Sequence, residues 1–170
     1  MKRLGEFMHP AMRLALLFAL AAPGLAAAQN HPDLSGTWKL NAARSDYGDM
    51  PGAREQTDVI EQSGSTVRES IVSTTRNRTQ TYVLSFPTDG QEVILPEDKV
   101  IHMGPASLRR VSAVWRGDQL IVTQRVEFQD EKFVFPSAYS LSADGRTLSV
   151  KASLGRDSTT MVFEKVVDGK

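Results

Sequence analysis

Few side chains in this chain are equipped for chemistry, and their placement limits them further. There are three histidines and no cysteine. Without cysteine there can be no disulfide, thiol nucleophile or thiolate metal site. His9 falls within an N-terminal stretch with the pattern of a removable leader, which leaves His31 near the start of the remaining chain and His102 beside Met103 in a connecting segment. Hydrolysis needs a base within reach of a nucleophile. No Gly-x-Ser-x-Gly, His-Glu-x-x-His, Walker or Rossmann pattern occurs. Asp58 and Glu69 could share acid–base work, but solvated surface acids explain them more simply, because burying ionised carboxylates costs several kcal/mol each. The expectation is no catalytic residue, no metal site and no cofactor. A weak hydrolase or isomerase using Glu69 or His102 is the alternative.

The elements that would position these groups begin after the leader. Lys2, Arg3 and Arg13 precede an apolar run from Leu14 to Ala22, Pro23 and Gly24 break it, and Ala26, Ala27 and Ala28 offer small residues for cleavage. That is the pattern of a cleavable signal, and the run is too short to span a bilayer as a helix. Residues 1–28 are therefore expected to be a signal peptide and 29–170 a single domain, periplasmic or secreted, with no membrane span and no lipidation cysteine. Twenty basic side chains balance twenty acidic ones, and the leader removes three of the former and one of the latter. No basic excess remains to hold nucleic acid.

Beyond Gln29 apolar residues alternate and turn pairs recur at strand-and-hairpin spacing, which predicts about ten strands in an all-β fold. They are 35–41, 56–62, 65–73, 79–87, 91–95, 107–116, 119–129, 132–142, 146–155 and 158–166. Two-residue turns at Ser63-Gly64, Asp89-Gly90, Gly117-Asp118, Asp130-Glu131, Asp144-Gly145 and Arg156-Asp157 fix which residues oppose each other. Leu141 then faces Leu148, Tyr139 faces Val150, Trp115 faces Leu120 and Phe128 faces Phe133. One inward parity runs from Val111 to Lys165. The Asp89-Gly90 turn aligns Phe86 with Val93. The Ser63-Gly64 turn points Asp58 and Glu69 inward, so either that register is off by one or the acids line a wet cavity. Successive antiparallel strands sharing one inner face predict an up-and-down β-barrel, since closure removes exposed edges. A two-sheet sandwich is the alternative.

Gly36-Thr37-Trp38 in the first strand, with Lys165 inward at the tail of the last, resembles the calycin superfamily of lipocalins and fatty-acid-binding proteins. Leu34 to Asn41, Ser45 to Gly48, Trp115 to Leu120 and Ser142 to Leu148 are similar to exported bacterial lipocalin-like proteins of unassigned function. The resemblance implies that the tryptophan closes one barrel end beneath a cation from the last strand. Lysine stands where lipocalins use arginine, and the lipocalin mid-chain motif is missing.

Up-and-down order puts Trp38, Trp115 and Lys165 in a plug at one end and the connections 42–55, 74–78 and 96–106 at the other. Phe128, Phe133, Phe135 and Met161 are expected to line the walls toward that mouth, with Tyr82 on the same face and Tyr139, Gln124 and Arg109 as polar contacts. A mostly apolar lining with a few placed polar groups suits a small molecule. The expected partner is a small hydrophobic or amphipathic molecule of the lipid or fatty acid class. An envelope protein-interaction module acting through 42–55 and 96–106 is the alternative. The outward positions Arg110, Ser112, Thr123, Arg125, Ser140, Ser149 and Lys151 are polar, which argues against a lipid-embedded barrel.

Overall fold

Alternation of inward and outward side chains builds one antiparallel sheet that curls on itself. The computed structural model describes residues 31–49, 52–76, 78–103, 105–154 and 157–167, with the side chains of Met103 and Leu154 outside the description. The expected leader at 1–28 also lies outside it, as does Asn77 of the Asn77-Arg78-Thr79 pattern that could accept a glycan. The strands are β1 (Gly36–Leu40), β2 (Glu55–Ser63), β3 (Thr66–Thr74), β4 (Thr79–Pro87), β5 (Asp89–Ile94), β6 (Ile101–Met103), β7 (Ala106–Arg116), β8 (Gln119–Phe128), β9 (Glu131–Leu141), β10 (Thr147–Leu154) and β11 (Asp157–Lys165). Around the barrel they run β4-β3-β2-β1-β11-β10-β9-β8-β7-β5, with the short β6 paired to β7. The expected up-and-down barrel is therefore present, with Trp38 of β1 opposite Lys165 of β11.

Closure is incomplete at one seam. Among the described residues β4 and β5 share no backbone ladder, and β5 pairs with β7 instead. The expected hairpin that aligned Phe86 with Val93 is thus corrected: the chain passes from β4 to β5 but does not zip them together. A side-chain link crosses the seam, where Gln80 Nε2 donates to the His102 carbonyl at 3.1 Å.

Three other turns sit one residue away from their expected positions. The β2–β3 register pairs Ser63 with Thr66, the β8–β9 register pairs Phe128 with Glu131, and the β10–β11 register pairs Leu154 with Asp157. Phe133 therefore opposes Val126, not Phe128. Moving a two-residue turn by one position shifts the register by two, and side chains keep their face. The turn before Glu131 is built from Gln129 and Asp130, both at positive φ (50° and 65°), as the I′ hairpin requires. The pairings Leu141 with Leu148, Tyr139 with Val150 and Trp115 with Leu120 are as expected.

The end holding Trp38 is solid. Trp38, Phe86, Phe163, Leu84, Leu120 and Leu148 are fully buried in one cluster. Trp38 Nε1 donates to the Leu34 carbonyl at 2.9 Å, which satisfies the only polar atom of its side chain. Lys165 Nζ lies 5.2 Å from the indole centroid, in cation–π range. Trp115 is half-buried against this cluster and stacks on His31, with centroids 4.6 Å apart and planes 3° from parallel. The segment preceding β1 thus covers the plug from outside.

Candidate functional site

Above the plug the barrel is hollow. A cavity of about 400 Å³ is bounded by β2, β3, β4, β8, β9, β10 and β11, with Tyr47 and Ala53 of the 42–55 connection at its mouth. Its apolar wall is Val126, Phe135, Val150, Ala152 and Met161, with Ile71 opposite. Polar side chains line it too: Gln56, Ser73, Thr75 and Tyr82 from the β2–β4 side, and Gln124, Ser137 and Tyr139 interleaved with the apolar residues of β8–β10. At its floor stand Asp58 and Glu69, which are only 2% and 1% exposed.

Two adjacent strands deliver these acids. Ile60 of β2 opposes Glu69 of β3, and Asp58 opposes Ile71. The carboxyls are therefore diagonal neighbours on the inner face, close enough to interact. Tyr139 reaches across from β9, its Oη donating to Glu69 Oε2 at 3.2 Å and Oε1 at 3.3 Å. Gln56 Nε2 donates to both Asp58 oxygens at 3.0 and 3.1 Å. The reading of these residues as solvated surface acids is corrected: inward parity was right, and they are buried.

Burial decides their protonation, because desolvation penalises the ionised form. It lifts Asp58 to about 7, against the opposing pull of the Gln56 hydrogen bond. Burial and the neighbouring Asp58 lift Glu69 to about 8. The same burial, with Glu69 and Asp58 nearby, pushes both the Tyr82 and Tyr139 phenols well above their ordinary value. At neutral pH Glu69 is therefore mostly neutral and Asp58 is poised to titrate. These two carboxyls have no third partner that would complete a metal site among the described residues.

Of the wall residues expected from sequence, Tyr82, Gln124, Phe135, Tyr139 and Met161 line the cavity. Phe128 ends β8 at the rim, and Phe133 is 38% exposed there, stacked on Phe135 with centroids 6.2 Å apart. Neither lines the cavity. Arg109 is a larger departure. The β7–β8 register slips between Leu108 and Arg110, so that Leu108 and Val111 both face inward and Arg109 is displaced. Its guanidinium pairs with Glu97 Oε2 at 3.0 Å and Glu127 Oε2 at 2.8 Å. It joins the connection after β5 to β8 and is no pocket contact. Gln56, Ser73, Thr75 and Tyr47 were not anticipated; the Asp144-Gly145 turn places Ser137 inward opposite Ala152, as observed, but it was not counted in the lining.

His102 does not join Glu69. It is exposed on β6, its Nδ1 3.0 Å from Ser107 Oγ. A surface groove along the seam holds His102, Lys99, Gln80 and Tyr82, and Tyr82 also lines the interior cavity. The 42–55 connection is anchored on one side. Asp46 exchanges two backbone hydrogen bonds with Thr160 of β11, at 2.8 and 2.7 Å. Further along, Tyr47 lies against Gly52 so closely that a Cβ there would overlap its ring.

No protein-family model and no curated protein sequence matches this chain. Solved structures do match in shape. The fluorescent protein UnaG superimposes with a TM-score of 0.55 at 16% identity, over 78% of this chain and 96% of that one. A secretary abundant heat soluble (SAHS) protein from Ramazzottius varieornatus gives 0.56 at 14% identity, over 78% and 94%. The fold is calycin-like. The REP1-NXSQ fatty acid transporter also matches, with a TM-score of 0.52 at 14% identity, over 80% of this chain and 98% of its own.

Proposed function

We propose that this protein is an exported, non-catalytic carrier that holds one small amphipathic molecule of lipid size inside its barrel, with residues 1–28 acting as a cleavable signal and 29–170 as the working domain. The observation that carries this reading is the cavity above the packed plug. Its volume of about 400 Å³ falls within the range of roughly 300–1,000 Å³ usual for small-molecule sites. The floor carries two acids and the β8–β11 side is mostly apolar, which suits a molecule with a headgroup and a tail. A shared fold with a protein described as a fatty acid transporter supports the lipid class without naming the ligand. Separation of exposed His102 from buried Glu69 weighs against a hydrolase or isomerase built on that pair.

One preparation tests the reading. Protein isolated from the exported fraction of expressing cells should have an intact mass starting at Gln29. Its organic extract should contain a co-purifying small molecule, and a neutral environment-sensitive fluorophore should titrate it saturably. Linear, unsaturable fluorescence together with an empty extract would remove the carrier reading. Retention of the first 28 residues would remove export by cleavage.

A further inference from the structure

We infer that the cavity selects a cationic amphiphile, an alkyl or aryl amine whose ammonium group lodges beside Asp58 and Glu69, over an anionic one such as a fatty acid. This rests on the carrier reading above and specifies the headgroup. No Lys, Arg or His is among the described residues lining the cavity. Lys165 is occupied over Trp38 at the plugged end, and Arg109 is paired on the outer surface with Glu97 and Glu127. An entering carboxylate would shed its hydration, find no cation among the described lining residues, and oppose ionisation of the two acids more strongly as pH rises.

An ammonium meets the opposite situation. A carboxylate offers about four acceptor sites, whereas Glu69 receives one phenol O–H from Tyr139 and Asp58 one amide group from Gln56. Acceptor capacity is left at the floor of a space whose β9–β11 side is mostly apolar, with Phe135, Val150, Ala152 and Met161 offering contact for a tail around Ser137. Among the described residues, every titratable side chain lining the space is an acid or a phenol: Asp58 from β2, Glu69 from β3, Tyr82 from β4, Tyr139 from β9 and Tyr47 at the mouth. None contributes positive charge to compete with the ligand.

Protonation supplies an independent signature. Burial leaves Glu69 mostly protonated at neutral pH, and a neighbouring cation favours its ionised form. Binding an amine should therefore expel a proton from the floor, and affinity should rise with pH while the amine itself stays charged, below about 10.

The test is competition between octylamine, octanol and octanoate for the neutral fluorophore on the wild-type protein at pH 6 to 9, with proton release measured by calorimetry in buffers of different ionisation enthalpy. The expected result at pH 8 is octylamine binding at least about tenfold tighter than octanoate, with proton release on amine binding and none with octanol. Amine affinity should climb about tenfold from pH 6 to 9, and Glu69→Gln or Asp58→Asn should shrink the preference to within about threefold. Octanoate binding as tightly as octylamine, or amine affinity flat with pH, would overturn the inference. Equal binding of all three leaves the carrier reading intact and removes amine selection alone, whereas no binding of any removes both. Should either variant fail to fold, wild-type proton release decides the matter unaided.

Discussion

Gly36 owes its identity to a residue 129 positions away. Its φ of +145° is a conformation that side-chain-bearing residues rarely adopt, and a Cβ there would stand 2.7 Å from Lys165 Cε. The lysine stem crosses the bare glycine to bring its ammonium over Trp38. Glycine, tryptophan and lysine thus form one unit, although only the first two are close in sequence. Gly36→Ala should cost about 1–3 kcal/mol through backbone strain and displacement of the lysine. Lys165→Met keeps most of the stem and removes the charge, so it should cost only ~0.5–2 kcal/mol. Urea unfolding midpoints of both variants check the order; a larger loss for Lys165→Met would mean that the cation, not the close approach, sets the requirement.

At the level of strands, the β4–β5 seam is the weak line of the barrel. Backbone groups facing it have no ladder partner in the described structure, whereas β7, β8 and β9 are paired along most of their lengths. Edge strands open locally at lower free energy than central ones. Amides of β4 and β5 that face the seam should therefore exchange with deuterium faster than those of β8, by about tenfold or more. Mass-spectrometric exchange on the intact protein checks this, and uniform protection around the barrel would mean the seam is sealed.

The same elements explain what could be read from sequence. Alternation located ten of the eleven described strands, because each shows its inner face over several residues. It missed β6, whose three residues are too few to show a period. Misplaced turns did little harm, since a register error of two preserves faces. That is why Asp58 and Glu69 pointed inward correctly even though their turn was centred one residue early. Arg109 failed for the opposite reason. A bulge inserts one residue and inverts parity beyond it, and nothing in the local sequence announced it. The open seam was equally hidden, because Asp89-Gly90 carries a hairpin signal while β5 finds its partner in β7.

For the molecule as a whole, two buried acids make stability depend on pH in an unusual direction. Acid denaturation usually follows protonation of carboxylates that are paired in the folded state. Here Asp58 moves from 3.8 to about 7 and Glu69 from 4.5 to about 8 on folding. Between roughly pH 4 and 8 the folded state holds more protons than the unfolded state, so these groups' contribution falls as pH rises. It is fully present below their unfolded values and lost through the folded ones. The slope approaches about 1.4 kcal/mol per pH unit for each group within its window. The melting temperature should thus be higher at pH 5 than at pH 9. Glu69→Gln, which keeps the shape and cannot ionise, should flatten the profile and melt above wild type at pH 9. Calorimetric scans across that range check it; a wild-type midpoint that rises toward pH 9 would show the floor acids are not governed by burial.

The split between a dense pole and a hollow one reaches past stability. The side chains that hold the staves together at the dense pole, Trp38, Phe86, Leu84, Leu120, Leu148 and Phe163, line no part of the chamber, while Val126, Tyr139 and Val150 serve both. Repertoire and scaffolding therefore separate at the chamber positions outside that shared set. Exchanging Ser73 or Gln124 would retune what fits without disturbing the keystone, so one barrel of this design can diversify its contents while its architecture stands still.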